Sequence, residues 1–290
     1  MNERAEVETQ LRSHVDTLAR LIGPRASASS LQATRSYLRQ QWTGESIREE
    51  LFEAHQRDGL NLIIERRGTK RPEQIVLLGA HYDTVTTTPG ADDNASAVAM
   101  LLEVVRLLAD HRGHRTVRYV AFDAEEPPHF YMNSMGSQSH ARQCRSRDES
   151  IVAMICLEMV GYFRNEPNSQ TVPESISRPL RRLFPSRGNF LAAVGNPKSA
   201  MLNWRFRRGF KRTSTLPLFS ICLPEAIHEI RLSDHSSFWD QGYPAIMLTD
   251  TSFLRNSHYH QPSDTPETLD YERMAEATFG VAGAIKRLAG

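Results

Sequence analysis

Gln74-Ile-Val-Leu-Leu-Gly-Ala80, followed at once by His81-Tyr82-Asp83, is an apolar run that ends in an imidazole and a carboxylate. An apolar run of this length, closed by polar residues, reads as a buried strand. The pattern recurs twice. Val117-Arg-Tyr-Val-Ala-Phe122 leads to Glu125-Glu126, and Ile151-Val-Ala-Met-Ile-Cys-Leu157 leads to Glu158. Between the first two runs, small and aliphatic residues repeat at helical spacing from Ala95 to Leu108. Asp92-Asp93-Asn94 before them carries side-chain oxygens suited to a helix start. A helix near 136–145 separates the second run from the third. Strands alternating with helices predict an α/β fold with a mostly parallel sheet and right-handed crossovers, whose ligands gather beyond the carboxyl ends of the strands.

Outward from this centre, residues 5–22 and 30–41 read as amphipathic helices. Val15, Leu18 and Ile22 share one face of the first, and Leu31, Ala33, Tyr37 and Leu38 one face of the second. Strands at 48–55 and 60–66 are expected to pair as a hairpin, with turn chemistry at Asp58-Gly59. Toward the C-terminus, residues 162–187 are rich in Pro, Ser, Asn and Arg and read as a long surface insertion. The sheet resumes at 189–194, with a helix at 198–212, strands at 218–223 and 245–249, and a final helix at 271–288. No internal repeat or clear linker divides the chain, so one domain over residues 1–290 is expected.

The composition fits a globular protein: 290 residues, 40% hydrophobic and 24% charged, are enough to bury a full core. With 35 basic and 34 acidic residues the formal net charge is +1, so no global field recruits nucleic acid or an acidic membrane. The basic stretch Arg205-Phe-Arg-Arg-Gly-Phe-Lys-Arg212 reads as a solvated helix face, with Phe206 and Phe210 turned inward. The polar start carries no secretory signal and no run of about 18 apolar residues occurs, which predicts a cytoplasmic protein without a membrane segment. Cys144, Cys156 and Cys222 lack a Cys-x-x-Cys pattern and are expected as reduced thiols, Cys156 inside its strand.

The chemistry follows from counting donors. Zinc accepts imidazole nitrogen and carboxylate oxygen. Two zinc ions carry four positive charges, which Asp93, Glu126, Glu158 and one hydroxide would balance, with His81 and His260 as neutral donors. Glu125 is then left over beside Glu126 as a general base, able to deprotonate a metal-bridging water and later protonate a leaving amine. That is amide hydrolysis of a peptide or related substrate. Ser233-Asp234-His235 is not a serine-hydrolase triad, because consecutive residues do not aim three side chains at one another in that geometry.

His81-Tyr-Asp83, Gly90-Ala-Asp-Asp-Asn-Ala-Ser96, Ala124-Glu-Glu126, Leu157-Glu-Met-Val-Gly161, Ser233-Asp-His235 and Tyr259-His-Gln-Pro-Ser-Asp264 occur in the order found in the clan MH, family 28 co-catalytic zinc metallopeptidases. The chain resembles that family over residues 75–285. The resemblance implies a three-layer αβα zinc-exopeptidase (phosphorylase/hydrolase-like) architecture and two zinc ions. It implies that Asp93 bridges them, that His81 and Glu158 complete one site and Glu126 and His260 the other, and that a cis peptide follows Asp93. Asp83 would accept the free ring N–H of His81. Tyr259 would be an oxyanion donor. Asp234 and Asp264 would support the ligands from behind, and His235 would cap a short helix at 236–240. Where this chain has Glu158, the well-known aminopeptidases of the family carry Asp. The implied activity is that of an exopeptidase, foremost an aminopeptidase. A glutaminyl cyclase-like acyltransferase, a carboxypeptidase and a non-catalytic binding module are the alternatives. Pro127-Pro128-His129-Phe130-Tyr131 and the insertion after Gly161 are expected to wall the cleft.

Overall fold

The computed structural model describes residues 3–130 and 132–290, so Tyr131 of the expected cleft wall lies outside the described residues. The chain begins with α1 (Glu3–Val15), prolonged by a π-helical turn (Asp16–Ile22), then α2 (Ala28–Gln41), β1 (Ile47–Ala54), β2 (Arg57–Arg66) and β3 (Arg71–His81). Next come α3 (Ala97–Leu107), β4 (Arg115–Phe122), α4 (Gly136–Ser146), β5 (Ser150–Glu158), the short α5 (Arg178–Arg181) and β6 (Leu191–Gly195). The last elements are α6 (Ala200–Phe210), β7 (Leu218–Cys222), α7 (His235–Asp240), β8 (Ala245–Thr249) and α8 (Tyr271–Ala289).

The strands form one sheet in the order β1-β2-β4-β3-β5-β8-β6-β7. Its centre, β4-β3-β5-β8, is parallel. The flanks are antiparallel where β2 meets both β1 and β4, and where β6 meets β8. Side chains alternate between two cores. Val76, Leu78 and Ala80 face the layer that contains Leu101, Val104, Phe206, Val281 and Ile285, while Ile75 and Leu77 face the layer with Ala141, Cys144 and Phe238. Both faces of the central strands are therefore covered, which is why they read as continuous apolar runs without alternation. The result is the expected α/β architecture with helices on both sides of a mixed sheet.

Several local expectations are corrected. The hairpin turns at His55-Gln56, where Gln56 takes a φ of 61°. Asp58 and Gly59 sit inside β2, and Gly59 pairs with Phe52, whose ring lies where a Cβ would be, 2.1 Å from it. On α2 the buried stripe is Leu31, Thr34 and Leu38; Ala33 is exposed, one position off the face. The Asp92–Ser96 side chains do not cap α3. They turn to the loop after β5 instead: Asp92 Oδ1 accepts from Gly161 N (3.0 Å), Asn94 Oδ1 from Met159 N (2.9 Å) and Ser96 Oγ from Val160 N (3.0 Å). The 162–187 insertion is not wholly a surface loop. Tyr162, Phe163 and Ile176 are buried, with Val172 and Phe184 packed on the second core. His235 opens α7, but its Nε2 lies 2.7 Å from Ile230 O, so it fixes the preceding turn rather than capping the helix. On α6, Phe206 and Phe210 are buried and Arg205, Arg207 and Arg208 exposed, as the sequence implies. Among the described residues no helix is long and apolar enough to cross a membrane.

Arg25 ties the N-terminal helices to the sheet, and no sequence signal pointed to it. Fully buried, it donates from Nε to Tyr82 O (2.8 Å), from Nη1 to Leu18 O (3.2 Å) and Pro89 O (2.8 Å), and from Nη2 to Gly90 O (2.8 Å). Burial lowers its pKa to about 10, so it stays charged at neutral pH. Arg25→Ala strands these carbonyls without a donor. With about 1–3 kcal/mol for each unsatisfied buried group, urea unfolding should report a loss of at least about 3 kcal/mol. A loss under 1 kcal/mol would mean that the carbonyls find other donors.

Candidate metal centre

Three strand ends and two loops bring the candidate residues together. His81 is the last residue of β3 and Glu158 the last of β5, while Glu125 and Glu126 follow β4 by three and four positions. Asp93 comes from the turn before α3, where the Asp93–Asn94 peptide is cis as the resemblance implies, and His260 from the loop after β8. All but His260 are buried. Backbone conformation at the site is unusual: Ala124 before Glu125, Met159 after Glu158, and His260 itself have φ of 58°, 49° and 57°. Such left-handed residues without glycine cost of order 1–3 kcal/mol each and cluster at functional sites.

Asp93 is central. Its Oδ1 lies 3.5 Å from His81 Nε2 and its Oδ2 3.1 Å from His260 Nε2, so one carboxylate faces both imidazoles. Glu158 Oε2 approaches His81 Nε2 at 3.3 Å, and Glu126 Oε2 approaches His260 Nε2 at 3.2 Å. His81, Asp93 and Glu126 each offer a donor atom within 4.8 Å of the others. Both ring nitrogens of His81 and Oε1 of Glu126 are buried without a hydrogen-bond partner. Burying such groups unpaired is costly unless something binds them. Two imidazoles and three carboxylates form the mixed N/O donor set that suits zinc. Glu125 stands slightly apart, with Oε2 3.9 Å from His81 Nε2.

The supporting residues fall partly where expected. Asp83 Oδ1 is 3.4 Å from His81 Nδ1, but its short bonds are accepted from Glu125 N (3.0 Å) and Glu126 N (3.1 Å), so it chiefly shapes the Glu125-Glu126 turn. Asp264 accepts from Asp92 N (2.9 Å) and Asp93 N (3.1 Å), fixing the backbone of Asp93. Asp234 is fully buried with neither oxygen hydrogen-bonded. Ser233, Asp234 and His235 form no triad: Ser233 Oγ donates to Glu158 Oε2 at 2.6 Å, while His235 turns to Ile230. This grip on Glu158 escaped sequence reading, because a serine carries no spacing signal toward a strand end 75 residues away. Tyr259 stacks on the His260 ring, centroids 3.8 Å apart at 22°.

Crowding sets the charge states. Burial, then Asp93, pushes Glu126 up to about 8. Burial raises Glu125 well above the carboxylate range, and Glu158 and Glu126 add to this against the opposing pull of His81. Burial would depress His81 and His260, but the surrounding carboxylates hold both up, His260 at about 10. Burial, then Asp93 and the glutamates, keeps the Tyr259 phenol protonated far beyond neutral pH.

An apolar cavity of about 110 Å³ opens beside Glu158 and Tyr259. Its walls are Ala192 and Val194 of β6, Phe219 and Ile221 of β7, Met247 of β8, and Ile176 and Phe184 of the insertion. The insertion thus walls this cavity, whereas Pro127, Pro128 and His129 line a separate space together with Asp83 and Glu126.

The profile of Peptidase family M28 matches residues 61–285. The Uncharacterized protein YfbL of Escherichia coli (strain K12) is 40% identical over 215 residues, 71% of this chain and 65% of that protein, so the chain spans less than two thirds of that relative. Among solved structures, BSAP, a zinc aminopeptidase from Bacillus subtilis, superposes with a TM-score of 0.70 at 16% identity, covering 96% of this chain and 94% of that one. A glutaminyl cyclase from Bacteroides thetaiotaomicron, bound to N-acetylhistamine, gives a TM-score of 0.70 at 16% identity, covering 96% and 97%. Both structural likenesses speak to the fold. With the family profile spanning most of its length, the chain belongs to Peptidase family M28.

Proposed function

We propose that the protein is a zinc-dependent aminopeptidase that holds two zinc ions. The observation that carries this reading is the position of Asp93, with one oxygen toward His81 and the other toward His260. His81, Asp93 and Glu158 would hold one ion, and Asp93, Glu126 and His260 the other. When bound, zinc supplies Lewis acidity toward the scissile carbonyl and a lowered pKa for water. The chain's own residues do the rest. Glu125 takes the proton of the attacking water and returns it to the departing amine. Tyr259, held protonated, donates to the oxygen that becomes negative. Glu158, fixed by Ser233, and Asp93, fixed through Asp264, keep their carboxylates in place. The apolar cavity beside Glu158 would take the side chain of the first residue. Its size, near the ~150 Å³ of an engineered cavity that holds benzene, suits an aliphatic or aromatic group. The chain's partner is then a peptide with a free, apolar N-terminus.

Peptide digests analysed by mass spectrometry test the reading. Zinc-loaded protein should remove N-terminal residues stepwise, and Glu125→Gln should lower kcat by about 10²–10⁴-fold while retaining its metal. Pyroglutamyl products or C-terminal trimming instead would refute aminopeptidase action.

Metal analysis and pH tests address the ions. Glu158→Ala should lose one of the two ions, and unchanged stoichiometry would remove Glu158 from the ligand set. In chelated protein, Glu126 at about 8, Asp234 at about 7 and His260 at about 10 all exceed their unfolded values. The folded state therefore binds more protons than the unfolded state between pH 5 and 8. Stability should fall as pH rises, by about 1.4 kcal/mol per pH unit for each proton retained. Zinc would displace the protons on its ligands Glu126 and His260, so calorimetry in buffers of different ionisation heat should record proton release, with affinity rising with pH.

The cavity is tested by Ala192→Phe, which fills it from β6. The value of kcat/KM for an N-terminal Leu substrate should drop on the order of tenfold or more relative to an N-terminal Ala substrate. An equal drop for both would place the first side chain elsewhere.

A further inference from the structure

The strands that lead to the metal centre begin, at their other ends, with arginine: β3 starts at Arg71 and β4 at Arg115. β3 has 11 residues, so at about 3.3 Å per residue its start lies about 30 Å from His81. Arg205 and Arg208 of α6, Arg212 just beyond it, and Arg287 in the last turn of α8 join the same basal region, where their charges act on Arg115 and on one another. Among the described residues no carboxylate pairs with any of these six arginines. Arg115 donates only to Gln74 Oε1 (2.7 Å) and Leu288 O (2.8 Å), and Arg208 lies 4.8 Å from the centroid of the Trp204 ring. Arg287 Nε is buried without a hydrogen-bond partner.

A cavity of about 410 Å³ opens among Arg115, Arg205, Arg287 and Trp204, with Val152 and Leu288 in its wall. Burial, then Arg212, Arg208 and Arg205, presses Arg287 below its ordinary pKa, and burial, then Arg71 and Arg205, does the same to Arg115. Helix dipoles account for cations in the last turns of α6 and α8. They do not account for Arg71 and Arg115 at strand starts, nor for a cavity lined by three arginines. In a chain whose net charge is only +1, this concentration is local.

We propose that this basal pocket binds a compact polyphosphate anion, with Arg115, Arg205 and Arg287 donating to phosphate oxygens and Trp204 at the rim. Guanidinium matches phosphate in geometry and charge, and several such groups around one cavity suit a ligand with more than one phosphate. The site is independent of the peptidase reading.

Trp42 and Trp239 are buried and Trp204 is 47% exposed, so tryptophan fluorescence reports on the pocket. The full chain is titrated with tripolyphosphate and with ATP at about 150 mM salt, by calorimetry and fluorescence. Saturable one-to-one binding with a Kd below about 1 mM is expected. The double variant Arg205→Gln/Arg287→Gln should weaken it tenfold or more, while Arg142→Gln/Arg187→Gln, an equal charge loss elsewhere, should not. Phosphate bound at the metal end would be insensitive to the basal pair, so an undiminished signal in that variant overturns the proposal. Absence of saturation, or equal weakening by both pairs, also overturns it. Tighter binding of ATP than of tripolyphosphate would identify a nucleotide as the source, and equal binding a free polyphosphate. Much tighter binding of a single-stranded oligonucleotide than of either would replace the proposal with a nucleic-acid surface.

Discussion

A buried excess of carboxylates at one end of the sheet is the constraint on which the rest of the structure depends. Asp83, Asp92, Asp93, Glu125, Glu126, Glu158, Asp234, Asp250 and Asp264 are all buried there. Arg25 and Arg255 are the buried arginines nearby, and both spend their donors on backbone carbonyls or on Gln170 rather than on these acids. Some of these acids hold protons when left to themselves: burial, then Asp250, raises Asp92 well above its usual range, and burial, then Asp92, brings Asp264 to about 7. Such an assembly persists only if cations, protons or oriented dipoles answer its charge. The proposed zinc ions would answer it at Asp93, Glu126 and Glu158.

Backbone amides answer it elsewhere. Asp83 takes the amides of Glu125 and Glu126, Asp264 those of Asp92 and Asp93, Asp92 that of Gly161, and Asp250 those of Tyr162 and Ser252. In each case the carboxylate of one loop holds the main chain of another, or of its own turn, so the loops fix one another. The left-handed residues Ala124, Met159 and His260 belong to this lattice, because only a tightly held backbone keeps non-glycine residues there. Gly90, with φ 64°, lies so close to Asp93 O and Arg25 that a side chain there would displace both.

The same lattice explains what the sequence could reveal. Strands ending in His81 and Glu158, and the Glu125-Glu126 pair just after β4, were legible because apolar runs covered on both faces are conspicuous and their polar ends stand out. Arg25 and the bond from Ser233 to Glu158 were not legible, since each acts through partners far away in the chain: Arg25 sits in no pattern, and the Ser233-Asp-His235 motif does not say what the Ser233 hydroxyl holds. The positive φ values were hidden too, because alanine, methionine and histidine do not advertise left-handed backbone as glycine does. Asp92-Asp93-Asn94 was misread as a helix cap for a related reason: capping and cross-loop bonding use the same side-chain oxygens, and only the fold decides which amide they meet.

The antiparallel annex has a separate role. Beyond β8 the chain adds β6 and β7 in the reverse sense, and their faces carry Ala192, Val194, Phe219 and Ile221 toward the 162–187 insertion. None of these residues belongs to the acid lattice. The cavity they form meets the metal centre only at Glu158 and Tyr259. The proposed chemistry therefore depends on the parallel strand ends, and side-chain selection on a sheet edge covered by an irregular segment. Changes in that segment can reshape the cavity without disturbing the bonds that hold Asp93, Glu125 and Glu126. The pattern that made the parallel strands legible is missing from the insertion for this reason: its few apolar residues fit a cavity wall, and a wall imposes no helical or strand period.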